Sequence, residues 1–169
     1  GELDLEAYHG LLSGRTRMVA ITHVSNALGT LNPVRELVDA AHRAGALALI
    51  DGAQWVAHGH TDVQDLDADF YAFSGHKLHA PKGVGALYIK KGLKPEIFCH
   101  GAGQEMGLRA GTENVLEIVG LGKACEIAMH HLETHMCHMI TLRDRLHEGL
   151  KRECGSIRLN GHPSLRLPN

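Results

Sequence analysis

The sequence has no long apolar run: the longest stretch is Ala44 to Ile50, far below the roughly 20 residues that a bilayer-spanning helix needs. No membrane partner is expected. Its opening residues, Gly1-Glu2-Leu3-Asp4, are acidic and polar. They lack the charged and apolar regions of a secretory signal, so the expected compartment is the cytoplasm. It has no excess of positive charge either. Seventeen Lys and Arg stand against 19 Asp and Glu, a net charge of −2, and no basic stripe is visible. Nucleic acid is therefore not an expected partner. The four cysteines, Cys99, Cys125, Cys137 and Cys154, form no CxxC pair and match no zinc spacing. They read as reduced thiols. There is no internal repeat and no low-complexity segment.

What is present is an alternation of short strand-like and helix-like segments within 169 residues, enough for a domain with its own core. Leu5 to Leu12 reads as a short helix. Arg17 to Thr22 is a short apolar, β-branched strand. Pro33 to Ala44 reads as a helix, with Pro33 in its first turn and Gly45 as its stop. Ala46 to Ile50, Asp69 to Phe73 and Val84 to Ile89 read as three more strands. This order implies an α/β fold with a largely parallel sheet. Strand runs without polar alternation imply that both sheet faces are covered. Gly92 to Gly111 holds five glycines and no periodicity, and is expected to be a long functional or contact-making loop. Val115 to about Leu150 is helical in pattern, and Ser156 to Leu159 is a short strand candidate.

Three polar clusters follow three of the strands directly: His23-Val24-Ser25-Asn26, Asp51-Gly52-Ala53-Gln54 and Ser74-Gly75-His76-Lys77. In open α/β sheets, ligands bind beyond the carboxyl ends of the strands. If the strands are neighbours, the clusters share one crevice. Their chemistry suits pyridoxal 5′-phosphate (PLP), which needs a lysine for a Schiff base and a carboxylate on its pyridine nitrogen. Lys77 and Asp51 fit those roles. Gln54, three residues on, suits the ring hydroxyl, and Ser74 and His76 suit the phosphate.

Three stretches carry a specific resemblance: Thr22-His23-Val24-Ser25-Asn26-Ala27-Leu28-Gly29-Thr30, Asp51-Gly52-Ala53-Gln54 and Ser74-Gly75-His76-Lys77-Leu78. Gly101-Ala102-Gly103-Gln104-Glu105 and Arg109-Ala110-Gly111-Thr112-Glu113-Asn114 extend it. Together they resemble the cysteine desulfurase and selenocysteine lyase family, in the class V aminotransferase group of fold-type I PLP enzymes. The first half is closer to one branch of that family and the second half to the other. The resemblance implies a three-layer, mainly parallel sheet over residues 1–130, the partial PLP-binding large domain, with the small C-terminal domain starting over 131–169. It implies PLP on Lys77, with Asp51 at the pyridine nitrogen. Gln54 and Asn26 would lie near the ring hydroxyl, with Asn26 also near the substrate carboxylate, and Ser74 and His76 would hold the phosphate. Thr112 would reach the phosphate of a neighbouring subunit in a homodimer with shared sites. The implied reaction takes sulfur from L-cysteine, leaving L-alanine and a persulfide for an acceptor protein. Selenocysteine lyase activity is the nearest alternative. A non-catalytic or dimerising fold fragment is the alternative of another class.

The sequence also departs from the family pattern. The family's nucleophilic cysteine and carboxylate-clamping arginine are expected beyond Asn169, and a phosphate-binding turn and ring-stacking histidine before Gly1. The chain therefore reads as an internal piece of a longer enzyme. Trp55 stands where a small residue is usual, and His79-Ala80 replaces a Tyr-Gly pair. His23, behind a strand, reads as structural rather than catalytic. His131, His135 and His138 share a helical face with Cys137 nearby and read as a solvated face rather than a metal site. Arg109 could contact phosphate or brace its loop.

Overall fold

A computed structural model describes residues 1–169. Its centre is one four-stranded sheet in the order β1-β2-β3-β4: β1 Met18–Thr22, β2 Leu47–Asp51, β3 Phe70–Ser74 and β4 Gly85–Ile89. The first three strands are parallel and β4 is antiparallel to β3. The largely parallel α/β sheet expected from the alternation is therefore present.

Three helices accompany it: α1 Leu5–Leu11, α2 Val34–Arg43 and α3 Val115–Cys154. Helix α2 forms because its apolar residues recur at helical spacing: Val34, Leu37, Val38 and Ala41 are all buried. Glu36 in its first turn and His42 and Arg43 in its last complement the helix dipole. It stops where Gly45 takes a φ of +76°, a conformation open to glycine at little cost. The Ala46 N–H then closes onto the Ala41 carbonyl at 2.9 Å, as in a glycine-terminated helix end. The buried face packs on Ala48, Ile50 and Tyr71 of the sheet. Each large apolar side chain so buried is worth about 1.5–3 kcal/mol. Tyr8 of α1 donates its hydroxyl to the Leu37 carbonyl at 2.7 Å, tying α1 to α2. Buried Asp69 joins the layers: its carboxylate accepts the Ala48 N–H and meets His42 Nε2, both at 2.8 Å.

The second sheet face differs from the expectation. Alternation places Met18, Ala20, Leu49 and Leu87 opposite the α2 face, and β1 alternates exposed with half-buried residues along its length. Met18 is 47% and Leu87 53% exposed. No helix of the chain covers this face, although the apolar runs implied cover on both sides. Nor does Ser156 to Leu159 form a strand; these residues are exposed and unpaired. Pairing falls further on instead. The Leu31 N–H donates to the Leu165 carbonyl at 3.0 Å, and the Leu167 N–H to the Gly29 carbonyl at 2.9 Å. Arg143 on α3 secures this tail by donating to the Leu167 carbonyl. Helix α3 runs unbroken across positions 130 and 131, with only Leu121 and Leu132 buried. The segment Gly92 to Gly111 is a loop apart from one 3₁₀ turn at Glu105–Gly107.

Candidate functional site

The strand register brings the polar clusters together. Thr22 of β1 pairs with Asp51 of β2, and Asp51 pairs with Ala72 of β3. The carboxyl ends of three parallel strands thus lie side by side, at the roughly 4.8 Å spacing of neighbouring strands. Alternation puts Thr22, Asp51, Ala72 and Ser74 on one face at this edge, the face that α2 does not cover.

Asp51 ends β2 with an exposed side chain. Its Oδ1 accepts the Ala53 N–H at 2.9 Å, an Asx turn that holds the carboxylate while leaving Oδ2 without a protein partner. The next residue has to be glycine: a Cβ on Gly52 would sit 2.1 Å from the Tyr71 ring. The chain then coils, with the Trp55 and Val56 N–H groups donating to the Gly52 carbonyl at 2.9 and 3.1 Å. Gln54 is half-buried in this coil.

Lys77 stands on a 3₁₀ turn, Gly75–Leu78, that begins where β3 ends. Both flanks of the turn are anchored. The Gly75 N–H donates to the Val84 carbonyl at 2.9 Å, and Leu78 is buried with Ala80 and with Leu121 of α3. His79, at φ +62°, closes the turn in the left-handed region, where a non-glycine residue is uncommon. Lys77 is half-buried and its ammonium takes part in none of the chain's ion pairs. Ser74 leads into the turn and His76 is exposed on it. Asn26 is exposed in the turn after His23, a turn shaped by Ser25 Oγ accepting the Leu28 N–H at 3.1 Å. Lys77, Asp51, Ser74 and His76 thus occupy the ends of adjacent strands, with Asn26 and Gln54 on the turns leaving β1 and β2. Thr112 is exposed three residues before α3, and no hydrogen bond joins it to this cluster. Arg109 bridges to Cys99 across the glycine-rich loop.

Tyr71 belongs to none of the polar clusters that the sequence displays. It is fully buried, and its hydroxyl meets His23 Nδ1 at 2.9 Å. The His23 ring lies against Trp55, centroids 4.8 Å apart. Burial pushes His23 down to about 4 and Tyr71 up to about 12, with the Asp51 charge adding to the latter. The one signal for it in the sequence is a tyrosine two residues from Phe73 on an apolar strand, which places both on the face of Ile50. A different histidine group also emerges: His58 and His79 line one cavity of about 470 Å³ together with His135 and His138 of α3.

All four cysteines are free thiols. Cys99, Cys137 and Cys154 are exposed and Cys125 is half-buried, with burial raising the Cys125 thiol above its ordinary range. No helix is long and apolar enough to cross a membrane.

Residues 1–168 match the family model described as aminotransferase class-V. A cysteine desulfurase of Gluconacetobacter diazotrophicus is 44% identical over all of this chain, which spans 42% of that protein. A cysteine desulfurase of Trichormus azollae is 40% identical, again over the whole chain and 42% of the relative. Among solved structures, a NifS-like protein superposes with a TM-score of 0.93 at 36% identity, over 99% of this chain and 46% of the other. The chain thus spans less than half the length of the relatives it matches.

Proposed function

The chain belongs to the aminotransferase class-V family, and from that premise we propose that it carries the cofactor-holding part of a PLP-dependent cysteine desulfurase. The observation that supports this reading most directly is the register Thr22–Asp51–Ala72, which sets Asp51 beside the strand whose terminal turn bears Lys77. The residues present fit the group. The edge offers one lysine outside any ion pair, one carboxylate with a free oxygen, and the Ser74 hydroxyl and His76 imidazole without side-chain partners. PLP, when bound, supplies an electron sink for the pair left behind when a bond to the substrate Cα breaks.

The chain's own residues have separable tasks. Lys77 Nζ would hold the cofactor covalently and, when free, would take the proton from the substrate Cα. The anchors at Gly75 and Leu78 fix where that amine can reach. Asp51 holds a proton on the pyridine nitrogen, and its Asx turn limits carboxylate rotation. Gln54 and Asn26 orient the ring hydroxyl, and Asn26 also the substrate carboxylate. Ser74 and His76 bind the phosphate. Sulfur leaves L-cysteine by attack of a cysteine thiolate on the substrate sulfur, giving L-alanine and a persulfide that an acceptor protein then consumes. Cys99, Cys137 and Cys154 are exposed and Cys125 is half-buried; the family resemblance implies that the attacking thiolate comes instead from beyond Asn169.

The same reading includes a homodimer in which Thr112 reaches the partner's phosphate. The supporting observation is the exposure of large apolar side chains on the loop and helix start that flank that residue in the chain: Phe98 is 94%, Met106 91% and Leu116 84% exposed. A cytoplasmic location and a division into residues 1–130 and 131–169, joined through α3, complete the proposal. Borohydride reduction of the PLP-loaded full-length protein followed by peptide mapping tests its centre. Label is expected on Lys77; label on Lys82 or Lys90 overturns the assignment.

A further inference from the structure

We propose that Tyr71 and His23, covered by Trp55, are positioning residues for Asp51: a neutral, hydrogen-bonded pair that fixes the Asp51–Gly52 turn from behind and keeps any cation away from its carboxylate. The inference rests on the reading of Asp51 as the partner of the cofactor's ring nitrogen.

The geometry is a closed circuit. The His23 N–H donates to the Asp51 carbonyl at 2.8 Å, and the Gly52 N–H to the Ala72 carbonyl at 2.8 Å. Gly52 rests directly on the Tyr71 ring, leaving no space for a side chain. The Tyr71 hydroxyl meets His23 Nδ1 at 2.9 Å. Trp55, whose N–H donates to the Gly52 carbonyl, returns its ring over His23. The indole N–H donates to the His60 carbonyl at 3.0 Å, and Gly59 packs against the same ring, so the cover is itself fixed. A rotation of Asp51 would disturb contacts on both sides of its peptide.

The electrostatics follow from this burial. His23 is 6% and Tyr71 2% exposed, and burial alone, with no charged neighbour contributing, holds His23 neutral. Its titratable neighbour is Tyr71 on β3, with Asp51 of β2 beyond it, while the 52–60 turn presents Trp55. A protonated His23 behind Asp51 would compete with the pyridinium for the carboxylate charge, because an opposite charge nearby stabilises the ionised carboxylate. Trp55, whose ring lies against His23 with centroids 4.8 Å apart, is what excludes the water that would let His23 ionise.

The test uses the full-length protein with two readouts independent of turnover: the imidazole titration of His23 by NMR, and the pH titration of the bound cofactor's visible absorbance. In the unmodified protein, His23 should stay neutral down to about pH 5. Trp55→Ala should raise its midpoint by at least about one pH unit, towards the ordinary value near 6.5, and shift the absorbance titration with it. Trp55→Phe should restore both. Tyr71→Phe, a conservative change, should weaken cofactor binding roughly three- to tenfold, the scale of one lost hydrogen bond. If His23 titrates near pH 6.5 in the unmodified protein, the inference is wrong. It is equally wrong if Asp51→Asn shifts the absorbance titration while Tyr71→Phe and Trp55→Ala leave it unchanged. If Asp51→Asn itself changes nothing, the failure lies in the cofactor reading of Asp51.

Discussion

The two halves of the chain handle apolar side chains in opposite ways. Residues 18–89 bury theirs against one another: Val34, Val38, Ala41, Ala48, Ile50 and Tyr71 form one cluster between α2 and the sheet. Residues 92–154 leave theirs in the open. Helix α3 has 40 residues yet buries only two, while Val115, Leu116, Val119, Met129 and Leu146 are all exposed. A sequence can therefore be rich in apolar residues in two regions and bury them in only one. The first half carries the strand-end cluster on a rigid base. The second leaves its large apolar side chains uncovered, and supplies the first half mainly with the brace of Leu121 against Leu78, next to Lys77.

The most decisive test of this contrast is chemical. The 169-residue chain, supplied with PLP, L-cysteine and a reductant, should show no sustained alanine release, because useful C–S cleavage needs an accessible, activated thiolate. Sustained release that disappears in Cys99→Ser would make the glycine-rich loop catalytic and place the nucleophile in the second half. Within the first half, Asp51→Asn in the full-length protein should leave PLP bound while lowering turnover by roughly a hundredfold or more, the scale of losing a placed electrostatic group. Turnover near that of the unmodified protein would show that Asp51 does not touch the ring.

Stability should separate the halves next. Val38→Asp buries a carboxylate without a partner and should cost about 4 kcal/mol, whereas Val119→Asp should change the stability of a single chain by less than about 0.5 kcal/mol. Denaturant titration of both variants measures the difference, and equal losses would mean that α3 contributes to the core no less than α2. The pH dependence is smaller again. His23 has its folded value lowered to about 4 from 6.5, so below pH 6.5 the unfolded chain binds a proton that the native state refuses. Its contribution is whole above that pH and is lost as pH falls towards 4, amounting to about 3 kcal/mol at most. His23→Gln should flatten this part of the profile; an unchanged slope between pH 6.5 and 4 would assign the acid loss to other groups. The subtlest effect concerns the second half. Thr112→Ala should weaken PLP binding modestly, and mixing it with Lys77→Ala should regenerate one intact site in heterodimers. Confirmed subunit exchange without recovery would remove Thr112 from the partner's site.

Much of the architecture is readable from local pattern. The spacing of Val34, Leu37, Val38 and Ala41 with Gly45 behind it specifies α2, because helix period and terminating geometry are properties of a few consecutive residues. The same holds for the short β-branched strands and for the polar clusters that end three of them, which is why Lys77, Asp51, Ser74, His76, Gln54 and Asn26 are legible without the fold. Register, cover and pairing depend on residues far apart in the chain. The Thr22–Asp51–Ala72 alignment, and with it the shared face of Asp51 and Ser74, required the sheet to assemble. The run Ala46 to Ile50 shows that a strand can be buried on both faces, but only the fold reveals that nothing in this chain arrives to cover the second. Ser156 to Leu159 has strand-like composition but no neighbouring strand, whereas residues 165–167 find Gly29 to Leu31. His23, Tyr71 and Trp55 are separated by up to 48 positions and become one unit only when β1, β2 and β3 align. Sequence by itself thus determined which elements form and which chemical groups stand at their ends. Tertiary structure decided which of those groups meet and which lose their water, because burial and hydrogen-bond partners are supplied by the rest of the chain and not by a residue's neighbours in sequence.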